Sequence, residues 1–329
     1  MTVPCVAVAR ERGEAVRTRL AEADVLDGDH QIVVDDGTIY LPVTDPAGLP
    51  DRLADRVVER DVAARDRQRT PTDVLGFEPS LERLGDIVIV DEDDPSRARA
   101  IADAVMASDL SCTTVLDRAS PIEGAHRVRE WDVLAGEDTE TVHREYGHAF
   151  ALDVARVYFS PRLATERHRV TTQVSAGECV VDMFAGVGPY AIPMADRGAD
   201  VVACDVNEVA VAYLRENAAR NGVEDRVTTV VGDVRATTDA YADTADRLVM
   251  NLPHSAEDFL ETAVSLASDE CVLHYYDIQH DADPFGPGRQ AIQEAAGSTY
   301  DVSVETERVV RSYAPHEENV CLDVRLTRR

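Results

Sequence analysis

In the second half of the chain, short apolar runs bounded by turn residues alternate with longer stretches of helical period. That order predicts βαβ units around a mostly parallel sheet. Val180, Val181, Met183 and Phe184 make one run, broken at once by Gly186 and Gly188, with a helix from Ile192. A second run, 199–204, ends in Asp205, and the helix that follows from Glu208 is stopped by Asn221-Gly222. Strand 226–231 then delivers Asp233 and Val234, and strand 246–250 runs into Asn251-Leu252-Pro253-His254. A fifth strand at 271–278, a loop at 286–288, a helix including 290–296 and an antiparallel pair, 303–309 with 320–326, complete this part.

The first half is patterned differently. A strand at 5–9, a helix at 13–23 and strands at 31–34 and 39–43 around Asp35-Asp36-Gly37 read as a small α+β domain of residues 1–45. Residues 46–78, rich in proline and Asp/Arg pairs, read as a polar linker without a core. A second α+β domain, 79–157, has expected strands at 86–90, 112–116, 131–135, 140–144 and 149–154 and a helix at 96–106. Ser160-Pro161 then opens a helix carrying Arg162, Glu166 and Arg169 on neighbouring turns, at the head of the domain 158–329.

Composition adds one unusual feature. The net charge is −29, and all 33 basic residues are arginine. A nucleic-acid binder is ordinarily basic. The acids are spread along the whole chain, which suits an acidic surface adapted to high salt, where attraction is screened within about 3 Å at 1 M. Six scattered cysteines without metal-ligand spacing read as buried thiols of a cytoplasmic protein, and no apolar stretch is long enough for export or membrane insertion.

The turn after the first parallel strand carries the candidate chemistry. Glycines let the backbone approach a ligand, and the helix start beyond offers free N–H groups. Asp182, just before the turn, would repel a pyrophosphate but suits the ammonium group of S-adenosylmethionine. Asp205 stands where the ribose-binding acid of a βαβ unit falls, and Asp233 with Val234 where an adenine could be held. Asn251 and Pro253 form a stiff loop of the kind that faces an acceptor nitrogen. Arg127 and Arg129, on an extended stretch, suit a phosphate or a base carbonyl, although pairing with neighbouring acids is an equal reading. For Glu166, a general base and a surface i,i+4 pair with arginine both remain open.

Taken together, YFSPRLATER, DMFAGVGPY, CDVN, GDV and NLPH resemble the archaeal and eukaryotic tRNA (guanine-37 N1)-methyltransferases. IEGAHRVREWDVLAGE and VHREYG extend the resemblance over nearly the whole chain. It implies an α/β fold in which a Rossmann-like class I methyltransferase domain is preceded by two small α+β domains. It also implies S-adenosylmethionine as cofactor and tRNA as partner, read at its anticodon loop and overall L-shape, with the leading domain sensing that shape. Residue by residue, Tyr158 and Arg167 would border the cofactor with Asp182, Gly186 and Gly188. Asp205 and Val206 would lie at the ribose, and Asp233, Val234 and Asn251 would complete the cofactor set. Glu166 matches the general base, Arg127 or Arg129 the arginine at guanine O6, and Asn251 with Pro253 the acceptor loop. The related aminocarboxypropyl transferase of wybutosine synthesis and a non-catalytic tRNA-binding protein are the alternatives. NLP speaks for methyl transfer.

Overall fold

The computed structural model describes residues 2–49, 53–65, 68–120, 124 and 126–329. The chain forms two compact units, Met1–Thr70 and Pro71–Arg329.

In the first unit, β1 (Thr2–Ala9) leads to α1 (Gly13–Glu22), then to the hairpin of β2 (Val33–Asp35) and β3 (Thr38–Pro42). Asp36 and Gly37 both have positive φ, the conformation a two-residue hairpin turn requires. The segment 46–78 departs from the expected linker. Its strand β4 (Val57–Asp61) pairs antiparallel with β1, giving the sheet order β2-β3-β1-β4. Leu53 and Val62 are buried there, so this stretch does contribute to a core. Charge misled the reading because β4 carries charge on both faces: Glu59 and Asp61 are exposed, while the half-buried Arg60 pairs with Asp35 at 2.5 Å and lies over the Tyr40 ring.

The second unit begins with α2 (Pro71–Leu75), which packs on α3 (Pro95–Ala107). Asp94 accepts the Ser96 N–H at 2.8 Å and Pro95 follows it, the expected chemistry of a helix start. Strands β5 (Leu81–Leu84), β6 (Ile87–Val90), β7 (Thr114–Arg118) and β8 (Trp131–Ala135) form a sheet in that order. β9 (Glu140–Glu145) and β10 (His148–Asp153) make a hairpin turned at Tyr146-Gly147, both at positive φ.

After a 3-10 turn at Pro161–Leu163 comes α4 (Ala164–Thr171), then the parallel core: β11 (Cys179–Asp182), α5 (Ala191–Asp196), β12 (Asp200–Asp205), α6 (Glu208–Arg220) and β13 (Val227–Val231). It continues through α7 (Val234–Thr237), β14 (Ala245–Met250), α8 (Leu260–Leu266), β15 (Ala267–His280), α9 (Gly286–Ala296), β16 (Tyr300–Ala314) and β17 (Glu317–Arg328). The order β13-β12-β11-β14-β15-β17-β16 is parallel from β13 to β15 and antiparallel where β17 joins. The order in which strands are added reverses beside β11, with β12 on one side and β14 on the other, so the crevice of this α/β fold opens at the carboxyl ends of its parallel strands.

Residues 286–288, expected as a loop, are the first turn of α9. Pro287 suits that position, and Asp283 accepts the Gly286 N–H at 2.9 Å. The cysteines also differ from expectation. All six are free thiols, but Cys112 is half-buried and Cys179 exposed.

The free edge of β10 is covered by α6. Asn217 accepts the Ala151 N–H at 2.7 Å and donates to the Ala151 carbonyl at 3.0 Å, while Asn221, one turn on, does the same at Ala149 with 2.9 and 2.8 Å. Two amides thus replace the partner strand that an exposed edge lacks. Asn217 also donates to the Val187 carbonyl at 3.1 Å, which ties the hairpin to the glycine turn.

Candidate active site

The turn between β11 and α5 is built on two left-handed glycines, with φ of 53° at Gly186 and 94° at Gly188. A Cβ at Gly188 would lie 2.4 Å from Leu214 Cδ1, whereas at Gly186 the nearest atom would be the Tyr158 carbonyl oxygen at 3.9 Å. Gly188 is therefore a packing requirement and Gly186 leaves open space over the turn, bordered by Tyr158. Asp205, at the end of β12, accepts the Gly186 N–H and the Asn207 N–H, each at 2.8 Å. It thereby fixes the shape of the turn. Val206 beside it is exposed.

Asp182 is 1% exposed, and neither carboxylate oxygen has a hydrogen-bond partner. Burial pushes its carboxyl up to about 7; the Phe184 N–H, too poorly placed for a full hydrogen bond, offsets this in part, and nearby Asp205 adds to it. A buried carboxylate without a partner is costly, and a ligand cation would satisfy it. The ammonium of an amino-acid-bearing nucleoside such as S-adenosylmethionine fits that donor set, with the open backbone at Gly186 beside it.

At the next strand end, Asp233 caps α7 and pairs with Arg235 at 2.6 Å, which holds its carboxyl below the usual range. The Val234 side chain packs into the core rather than facing the crevice. Arg167 does not offer a free guanidinium to the site. It is buried, donates to Glu145 at 3.0 and 2.5 Å and to the Ser160 carbonyl at 2.9 Å, and lies against Phe159. Its place is behind the segment that carries Tyr158, as the clamp between α4 and β9.

The loop after β14 is pinned where Pro253 accepts the Ile278 N–H at 3.2 Å. Asn251 stands half-buried at the strand's end. His254 meets the Tyr313 ring edge-on at 5.2 Å, which brings the β16–β17 hairpin beside the loop.

Arg127 and Arg129 part company. Arg127, held at φ 53°, lies over the Tyr158 ring at 5.4 Å and is close enough to His254 to lower its imidazole together with burial. Arg129 lies over Trp131, and burial together with nearby Arg118 lowers its guanidinium. Both arginines line a cavity of about 500 Å³ with Arg118, Arg162, Arg311, Tyr158 and Phe159. Of these five arginines, Arg118 and Arg162 pair with Glu82 at 2.5 and 2.6 Å; the other three have no carboxylate partner among the described residues. A chain of net charge −29 thus keeps a local basic pocket with aromatic walls. A larger cleft of about 1240 Å³, between β9 and α6, has neither the glycine turn nor the loop after β14 in its lining.

Glu166 is buried rather than a surface residue, and it pairs with Arg169 instead of Arg162. Arg169 donates to both its oxygens at 2.9 and 2.7 Å, Tyr276 donates to Oε1 at 3.0 Å, and Arg308 contacts Oε2 at 3.0 Å. Tyr190, from the end of the glycine turn, donates to Tyr276 at 2.9 Å. Behind this lies a charged chain: Arg169 to Asp323, Asp323 to His274, His274 to Arg247 and Arg247 to Glu178. Because Arg247 can only donate to His274 Nε2, the histidine carries its proton on Nδ1 and gives that hydrogen bond to Asp323. Tyr276, Asp323, His274 and Arg308 are missed by sequence reasoning, since nothing in a strand's pattern marks which polar residue turns inward.

Residues 141–305 match the TRM5/TYW2 methyltransferase domain, 5–48 the tRNA methyltransferase 5 N-terminal domain and 69–139 the TYW2 N-terminal domain. The tRNA (guanine(37)-N(1))-methyltransferase Trm5b of Pyrococcus abyssi is 39% identical over 98% of both chains. The chain belongs to the TRM5/TYW2 family. This TRM5/TYW2 protein is also similar to the solved complex of aTrm5 and tRNALeu, with a TM-score of 0.73 at 29% identity over 98% of this chain and 99% of that one. The tRNA(Phe) (4-demethylwyosine(37)-C(7)) aminocarboxypropyltransferase of Pyrococcus horikoshii is 34% identical over 74% of this chain and 88% of its own. Among the described residues, no helix is long and apolar enough to cross a membrane.

Proposed function

We propose that this chain transfers the methyl group of S-adenosylmethionine to N1 of guanosine 37 in tRNA. One observation carries the reading: similarity to a tRNA (guanine(37)-N(1))-methyltransferase runs through 98% of the chain. The match to the aminocarboxypropyltransferase covers 74%. The match at 5–48 to the methyltransferase 5 N-terminal domain favours the same choice. We assign tRNA-shape sensing to that leading unit.

When bound, S-adenosylmethionine supplies an electrophilic methyl group on sulfur. Asp182 and the turn at Gly186 and Gly188 would hold its amino-acid end, Asp205 and Val206 its ribose side, and Asp233 and Val234 the adenine through groups other than the buried valine side chain. Guanine N1 carries a proton at neutral pH, and Glu166 would take it as the new bond forms. Its carboxylate has about four lone-pair sites; Arg169 and Tyr276 donate to three of them, and the Arg308 guanidinium stands at ion-pair distance from Oε2. One of these cationic or hydroxyl neighbours has to move aside for the base to reach the carboxylate. Arg169 is fixed by Asp323 and Tyr276 is fully buried, whereas Arg308 is 45% exposed. Arg308 is the neighbour that yields to the incoming base. Arg127, beside Tyr158 and His254, would donate to O6 as charge builds there, and Arg129 would contact the RNA further along the cavity. Asn251 and Pro253 would direct the base, which has to leave its stack to present N1.

The test is nucleotide mapping and mass analysis of tRNA transcripts incubated with protein and S-adenosylmethionine in molar salt. N1-methylguanosine at position 37 is expected. An aminocarboxypropyl product, or none, overturns the reading. Glu166→Gln should bind cofactor normally and lose single-turnover activity; a normal rate would remove Glu166 from its role.

A further inference from the structure

Two buried polar groups near the acceptor loop have no partner. Asn319 is 4% exposed with Oδ1 unpaired, and Arg311 Nε is buried and unpaired. They are direct partners in the β16–β17 pairing, so their side chains leave the sheet on the same face. That face is the one bearing Glu166. Along β17, Asn319, Cys321 and Asp323 alternate with the opposite face, and both Cys321 and Asp323 contact Arg169. On β16, Arg308 is opposite Cys321 and Arg311 opposite Asn319; the register shift between Val309 and Arg311 takes up one residue. Without that bulge, two arginines three positions apart would point to opposite faces. Asn319 is also paired with Ile278, whose N–H binds the Pro253 carbonyl, and Arg311 lines the arginine-rich cavity.

One unsatisfied donor and one unsatisfied acceptor on partner residues of one sheet face, with the donor's residue lining a basic cavity, call for a group that accepts and donates at a single atom. A hydroxyl does so, and among nucleic acids the ribose 2′-hydroxyl is the group that offers both. We propose that Arg311 and Asn319 form a subsite for a ribose 2′-hydroxyl of the RNA, at the acceptor nucleotide or one of its immediate neighbours. Arg311 Nε donates to the hydroxyl oxygen, and the hydroxyl donates to Asn319 Oδ1. This rests on the reading of the site as an RNA-modifying one, and it adds a selection for RNA over DNA.

The experiment uses full-length tRNAs carrying a single 2′-deoxyribose at the acceptor nucleotide or at either flank, with affinity and single-turnover rate measured in molar salt. One of the three positions should weaken wild-type binding about tenfold or more, the size of a hydrogen bond involving a charged group. Asn319→Leu and Arg311→Leu should weaken binding of all-ribose tRNA by a similar factor, keep their affinity for S-adenosylmethionine, and no longer respond to that deoxy substitution. If none of the three substitutions affects the wild type, the pair is bridged by a structural water and the inference falls, whether or not the variants fold. It falls equally if the variants keep the full deoxy response. Because affinity is read without turnover, absence of N1-methylguanosine would sink the proposed function and still leave this result decisive.

Discussion

Replacing Asp182 with asparagine should make the protein without cofactor more stable and a poorer cofactor binder. The wild-type carboxyl is fully buried, lacks a well-formed hydrogen bond or a cationic partner and is pushed from 3.8 to about 7. At about 1.4 kcal/mol per pH unit, that shift costs the folded chain about 4 kcal/mol once the pH exceeds 7. The sign follows from proton binding. The folded carboxyl holds its proton more tightly than the unfolded one, so wild-type stability falls as pH rises from 3.8 to about 7 and is then level. Asparagine removes this slope but leaves a buried amide that costs about 1–3 kcal/mol, for a net gain of about 1–3 kcal/mol above pH 7. Binding moves the other way. Loss of a charged acceptor for the cofactor ammonium should weaken affinity by about 10–150-fold, and wild-type affinity should drop about tenfold per pH unit below 7. Urea unfolding and titration calorimetry across pH 5–9 in molar salt measure both arms. A variant with unchanged midpoint and unchanged affinity would refute the reasoning.

Three further outcomes are expected. Arg127→Ala should lower the single-turnover rate by about 10²–10³-fold, the usual loss for one donor to a developing oxyanion, while Arg129→Ala should mainly raise KM for tRNA; equal rate losses would undo the distinction between them. Gly188→Ala combines a left-handed residue, at about 1–2 kcal/mol, with overpacking against Leu214, at about 1–3 kcal/mol. A urea midpoint within error of wild type would refute both contributions. Transfer from molar salt to about 0.1 M, where the screening length grows from about 3 to about 10 Å, should reduce ellipticity and protease resistance because a net charge of −29 repels itself; unchanged spectra would remove the case for salt adaptation.

Much of the parallel core was legible because each of its strands is a short apolar run ending in a residue with an evident job. Val180 to Gly188 and the approach to Asp205 are such cases, and there local pattern and tertiary role agree. The linker reading failed at Val57–Asp61 because this edge strand is held by its backbone pairing with β1, and none of its five residues is buried enough to leave an apolar pattern. Arg167 and Glu166 illustrate the limit for site residues. Their types and spacing were plain, but whether a guanidinium faces the crevice or a glutamate 22 residues upstream is set by packing between α4 and β9. The split between Arg127 and Arg129 depends on a left-handed backbone at a non-glycine residue, which no local signal announces.

The join between α6 and the β9–β10 hairpin has a consequence at high ionic strength. Its clasps are the uncharged amides of Asn217 and Asn221, which neither titrate nor lose strength as ions accumulate. Exposed ion pairs elsewhere on the surface fade with ionic strength, whereas this joint has no charge for salt to screen. The hairpin is therefore expected to stay docked on the glycine turn at salt concentrations that loosen the rim.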